Sequence, residues 1–249
     1  MALDKDRCAR ELIETVQPYW EAEGEITRRF FARKPTTEHY EYFLKSLLWK
    51  ELHPVNGYFN GIQAELAKLS DMFPQLDKGL DRRHYHFLIQ QMAEEVNHYV
   101  VLAEVLEHVL GHAISPDDTF EIPEERKLCE LRTGYVQSGD AVQKAAVLLT
   151  EGGGSRAFKA ASQVGGDEVQ DMLAKAMNVI YEDEADHADE AVREAVGVLT
   201  SEDDLERMKV AARAVSRQRV YMRLDMFSHP MSQEEVEEYI AEQAAALAA

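Results

Sequence analysis

The sequence predicts an all-α protein, a four-helix bundle lengthened by further helices at both ends. Three observations carry that expectation. Apolar residues recur at helical spacing in one segment after another, as in Leu12, Ile13, Val16, Tyr19 and Trp20, the pattern that lines one face of a helix. Residues suited to N-caps stand where the periodic segments begin, among them Asp140, Ser201 and Ser232. An acid–Glu–x–x–His motif occurs twice, as Glu94-Glu95-Val96-Asn97-His98 and Asp183-Glu184-Ala185-Asp186-His187.

Length and composition bound the answer. A chain of 249 residues forms one large domain or two small ones, and no Pro/Gly/Ser-rich linker divides it, so a single domain over 1–249 is expected. No apolar run reaches the length of a membrane span. The opening Met1-Ala2-Leu3-Asp4-Lys5-Asp6-Arg7 lacks the basic-then-apolar order of a signal peptide. Cys8 and Cys129 form neither a CxxC nor a disulfide framework, which points to a reducing cytoplasm. The net charge of −19 argues against nucleic acid, whose phosphates need a basic surface. Arg82-Arg83 and Arg213-Arg217-Arg219 are the places where a local basic patch could form.

Taken in order, residues 5–33 read as one helix, with a break at Pro18 left open, outside the central bundle. Pro35-Thr36-Thr37 marks a turn and an N-cap before a second run that includes Tyr40, Phe43, Leu47 and Leu48. Pro54 kinks that run or starts a new helix, with Tyr58, Phe59, Ile62, Leu66 and Leu69 as its stripe. A long helix follows from Asp81 to Leu110, its apolar face carrying Phe87, Leu88, Met92, Val96, Tyr99, Leu102 and Val105. After Pro123 a helix runs to Ser138-Gly139-Asp140, and Asp140 caps a continuation to Glu151. Gly152-Gly153-Gly154 then either ends the helix or leaves space beside a bound group inside a distorted one. The next helix spans Val169 to Leu199. Ser201 caps a helix over 202–227, and Ser232 with Glu235 forms a capping box for 233–248. The bundle proper is expected over about 55–199, flanked by helices at 5–50 and 202–248.

Residues three apart share a helix face, so Glu95 with His98 and Glu184 with His187 each form a two-ligand claw. A four-helix bundle holds two iron or manganese ions with two such claws and one further Glu from each of two other helices. Glu65 lies thirty residues before Glu95, and Glu151 thirty-three before Glu184, about one helix plus a turn. Glu51 rivals Glu65, since it continues the same stripe on the other side of Pro54. A carboxylate and an imidazole on an apolar face are costly unless paired or metallated. Carboxylate and imidazole donors together suit iron or manganese. His84, His86, His108 and His112 fall off this arrangement. Tyr181 stands one turn before Glu184, either near the metals or at the edge of the core.

At Glu65, Glu95-x-x-His98, Glu151 and Glu184-x-x-His187 the chain resembles the ferritin-like, carboxylate-bridged di-iron superfamily. The resemblance implies two Fe ions, or Mn/Fe, that activate O2 to oxidise or oxygenate a small organic substrate. It makes Glu95 and Glu184 the bridges, Glu65 and Glu151 terminal ligands, and Glu151 and Glu184 the carboxylates at the reacting centre. It also implies that Asp183 orients His98 and that Glu94 orients His187, across the bundle.

Departures narrow the reading. No CxxC follows the bundle, unlike the rubrerythrins. Leu102 stands where ribonucleotide reductase has its radical tyrosine, and Ile180 where arylamine N-oxygenases have a further histidine. A haem-oxygenase-like di-iron oxidase stays open as a second architecture, although Ile180 also replaces the first histidine usual in its last metal helix. Iron storage or peroxide removal, and a catalytically silent assembly subunit, stay open as functions. The main expectation is an oxidase or oxygenase, a homodimer with an external electron donor. Phe59, Ile62, Met92, Leu149, Phe158 and Met177 would line its substrate pocket.

Overall fold

The computed structural model describes residues 3–53, 61–184 and 187–248, without the side chains of 61–65, 116 and 187. Every regular element among them is helical: α1 (Lys5–Ala32), α2 (Thr37–Leu52), α3 (Gly61–Met72), α4 (Arg82–Leu110), α5 (Pro123–Gln137), α6 (Ala141–Ala146), α7 (Glu151–Ala161), α8 (Glu168–Glu184), α9 (His187–Gly197), α10 (Glu202–Met226) and α11 (Gln233–Leu247). None is long and apolar enough to cross a membrane.

The caps that the sequence advertises are formed. The Asp81 carboxylate accepts from the backbone N–H groups of Arg83 and His84 and starts α4, while Gly111, at φ 72°, ends it. A left-handed residue at that position satisfies the last carbonyls and favours glycine. Asp140 accepts from the Val142 N–H at 2.9 Å. Ser201 and Ser232 each close a capping box, with Asp204 and Glu235 respectively.

Four helices surround the centre of interest. α2 packs on α4, α4 on α8, and α8 on α7. Phe43 and Leu47 of α2, Phe158 of α7 and Met177 of α8 line one small void with Phe227. A second layer backs them. α1 lies against α7, α10 and α11, and α10 covers α5 and α6. Two apolar cores result among the described residues. One gathers Phe30, Phe43, Leu47, Leu102, Phe158, Met177 and Phe227. The other gathers Cys8, Leu12, Trp20, Leu149, Val192 and Met208.

The structure corrects several expectations. α1 runs unbroken through Pro18, which is buried within it. The glycine triplet neither ends a helix nor opens space for a ligand. Gly152, Gly153 and Gly154 are buried inside α7, which continues from α6 through a 3-10 turn at Val147–Thr150. A Cβ on Gly152 would stand 2.5 Å from the Trp20 ring, and one on Gly154 2.6 Å from the Arg219 guanidinium. A Cβ on Gly153 would overlap the Glu23 carboxylate. The room left by the missing side chains is thus filled by α1 and α10. Phe87 and Val96, placed by the sequence on the inner face of α4, are 41% exposed each. That helix carries apolar residues on more than one side, so its period alone does not choose the buried one.

Candidate metal centre

Glu51 lies in the last turn of α2, on the stripe that buries Tyr40, Phe43, Leu44, Leu47 and Leu48, and is itself buried. A carboxylate there faces the negative end of the helix dipole and loses its hydration. Glu95 and His98 share the inward face of α4, with His98 1% exposed. Ligand atoms of Glu51, Glu95 and His98 all lie within 4.8 Å of one another.

The imidazole is held from the far side. His98 Nε2 stands 3.0 Å from Asp183 Oδ2 on α8, and Nδ1 stands 3.9 Å from Glu95 Oε2. With the ring proton on Nε2, donated to Asp183, the Nδ1 lone pair is directed to the glutamates. A metal-ligating histidine is commonly fixed in this way. The bond joins α4 to α8 across the bundle.

Charge crowds the same place. Burial first, then the carboxylates of Glu51 and Glu184 and, more weakly, Glu151, push the Glu95 carboxyl up to about 8, against the opposing charge of Lys50. The charges of acids on α2, α7 and α8 thus all act on Glu95 of α4. Among the described residues the donors within 4.8 Å of one another are Glu51, Glu95 and His98, with Glu151 and Glu184 outside that group. The donor set fits a cation: clustered carboxylates repel one another until a positive charge is shared among them, and oxygen with imidazole nitrogen suits iron or manganese.

Not every expected residue falls within the described part. The Glu65 side chain lies outside it, although its backbone belongs to α3, and the carboxylate found beside Glu95 and His98 is that of Glu51. The His187 side chain also lies outside the described residues, and so does its pairing with Glu94. Asp186 and Phe59, and the side chain of Ile62, are outside too. Tyr181 is half-buried, with Lys159 Nζ 5.7 Å from its ring centroid. The expected pocket lining is split: Phe158 and Met177 belong to one core and Leu149 to the other. His84, His86, His108 and His112 are exposed.

A buried ionic network behind α7 was not anticipated. Glu23, 1% exposed, accepts from Arg219 Nε at 3.1 Å and from Arg223 Nε at 3.2 Å. Arg132 donates to Thr150 Oγ1 at 2.8 Å. The charge of Glu151 acts on both Arg132 and Arg219, as well as on Glu95. The charge of Glu151 thus acts on the carboxylate cluster and on the guanidinium groups alike. Arg219 faces inward and makes no surface patch with Arg213 and Arg217. The sequence did carry a signal, since Glu23 interrupts the stripe Val16, Tyr19, Trp20, Ile26, Phe30 at an inward position.

Fold and site together define an all-helical protein with a buried carboxylate–histidine cluster. No protein-family model, curated protein or solved structure matches the chain.

Proposed function

We propose that this chain is a ferritin-like non-haem di-iron oxidoreductase, with Mn/Fe as the alternative metal pair, that acts on a small organic substrate. The observation that carries this reading is the Glu51–Glu95–His98 cluster, with the ring of His98 turned by Asp183. Glu51, Glu95 and His98 would hold one ion. Glu184 and Glu151, whose charges reach Glu95, and His187 would complete the set for a second. When bound, the metals supply redox chemistry toward dioxygen.

The chain's own groups do the rest. Glu95, on which the charges of Glu51, Glu184 and Glu151 all act, would be the carboxylate shared by the two ions. Asp183 keeps the proton of His98 on Nε2, so Nδ1 stays a donor to metal. Leu47, Leu102 and Ile180, one turn from Glu51, His98 and Glu184 on their helices, are buried together in one apolar core. Arg132 and Arg219 balance the charge of Glu151. Cys8 and Cys129 are unpaired, and no paired thiols serve as a reductant among the described residues, so electrons come from an external donor or from the substrate.

The test is oxygen consumption by anaerobically Fe(II)-loaded protein, in the presence of a chemical reductant. The wild type should consume dioxygen and Glu51→Gln should lose most of that rate, with unchanged helix content. A wild type no faster than free Fe(II), or a Glu51→Gln variant as fast as the wild type, would remove the basis of the reading.

A further inference from the structure

The face of α4 opposite the carboxylate cluster carries Ile89, Val96 and Val100, exposed by 42, 41 and 44%. Arg82, Ala93 and Glu107 are exposed as well. Along the helix these six stand at steps of seven, four, three, four and seven residues. Steps of three, four and seven keep residues on one stripe, and the order of the steps reads the same in both directions. A twofold axis between Ala93 and Val96 therefore exchanges Ala93 with Val96, Ile89 with Val100, and Arg82 with Glu107.

We infer that this stripe is where two copies of the chain pair, α4 against α4, antiparallel about that axis. The contact is isologous, the same patch on both copies, and its centre has the three-and-four spacing of a helix–helix seam. Charge selects both the occupant and the direction. In the antiparallel pair each Arg82 meets Glu107 of the second copy, one ion pair at either end of the apolar centre. A parallel pair sets Arg82 beside Arg82 and Glu107 beside Glu107, which repel. The charged ends are 25 residues apart, about 38 Å at the rise of an α-helix, so the seam is clamped at its extremes. Glu95 and His98 point to the other side of α4, and pairing leaves the carboxylate cluster untouched.

Sedimentation equilibrium of the metal-free full chain, at about 50 mM salt where exposed pairs are least screened, tests the inference. The wild type should be a dimer. Val96→Glu should raise the dissociation constant at least about tenfold, equal to about 1.4 kcal/mol, with unchanged circular dichroism. Arg82→Glu alone and Glu107→Arg alone should each weaken the dimer. An equimolar mixture of those two variants should recover it, because every end pair is then opposite in sign. A monomeric wild type, a dimer indifferent to Val96→Glu, or a mixture no tighter than its components would overturn the proposal. Metal uptake is not involved, so failure here and failure of the metal reading are separate results.

Discussion

His98 and Asp183 meet across the bundle, Nε2 to Oδ2 at 3.0 Å, and this bond fixes which nitrogen of the ring faces Glu51 and Glu95. A buried imidazole with one nitrogen committed to an acid has a single nitrogen left for a metal. The relationship ties α8 to Glu95 and His98 of α4.

Removing that tie has a defined consequence. Asp183→Asn should weaken Fe(II) or Mn(II) binding about 10- to 100-fold, the usual cost of losing such a partner, with helix content unchanged. Asp189→Asn, on the exposed side of α9, should leave affinity as it was. Metal titrations of the two variants compare them directly, and equal losses would mean that the His98–Asp183 bond plays no part.

Glu51 and Glu65 can be told apart in the same assay. Glu51→Gln should lower metal occupancy sharply, because it removes one of the three donors gathered within 4.8 Å. Glu65→Gln should lower it far less. The reverse order would return the first ligand to Glu65.

The carboxylate crowd predicts how stability varies with pH. Glu95, pushed up to about 8 by burial and by the neighbouring carboxylates, binds its proton more tightly folded than unfolded. Its contribution is complete below the ordinary carboxylate range, near 4.5, and is lost as pH rises toward 8. The melting temperature of metal-free protein should therefore fall from pH 5 to pH 8. Glu95→Gln should flatten that fall, and bound metal should oppose it by taking the place of the proton. A metal-free protein whose melting point rises over this interval, with Glu95→Gln unchanged from it, contradicts the electrostatic account.

Two helical glycines should respond in opposite senses to alanine. Gly153 lies against Glu23, whereas nothing stands within 4 Å of a Cβ at Gly134. Gly134→Ala should stabilise by up to about 1 kcal/mol through helix propensity. Gly153→Ala should destabilise by about 1–3 kcal/mol, the range for an overpacked interior, because the clash outweighs the same propensity gain. Each kcal/mol moves the melting temperature of a chain this size by about 2–4 °C, so calorimetry resolves the contrast.

The helices were legible where local chemistry decides them. Asp81 and Gly111 bracket α4, and Ser232 with Glu235 starts α11, because caps act through neighbouring backbone groups. The inward claw Glu95-x-x-His98 was legible from spacing, and the Asp183 partner from the resemblance. Glu51 was legible only as a rival to Glu65, whose side chain lies outside the described residues, since an interval in sequence does not reveal how near two helices come. The glycine triplet misled for a similar reason. Its cause is the approach of Trp20, Glu23 and Arg219, more than 60 residues away in each direction, and no local pattern records it. Val96 looked buried because its helix is apolar on two sides, and the second side has its own use in the proposed pairing.

Glu51, Glu95 and His98, with Glu151, Glu184 and His187, are proposed to hold a pair of redox metals. The measurement that bears on this most directly is the number of irons retained after anaerobic Fe(II) loading and desalting. About two per chain are expected, as the bundle motif provides, with a clear loss in Glu95→Gln. Fewer than about one iron per chain in the wild type, or the same number in wild type and Glu95→Gln, would contradict it.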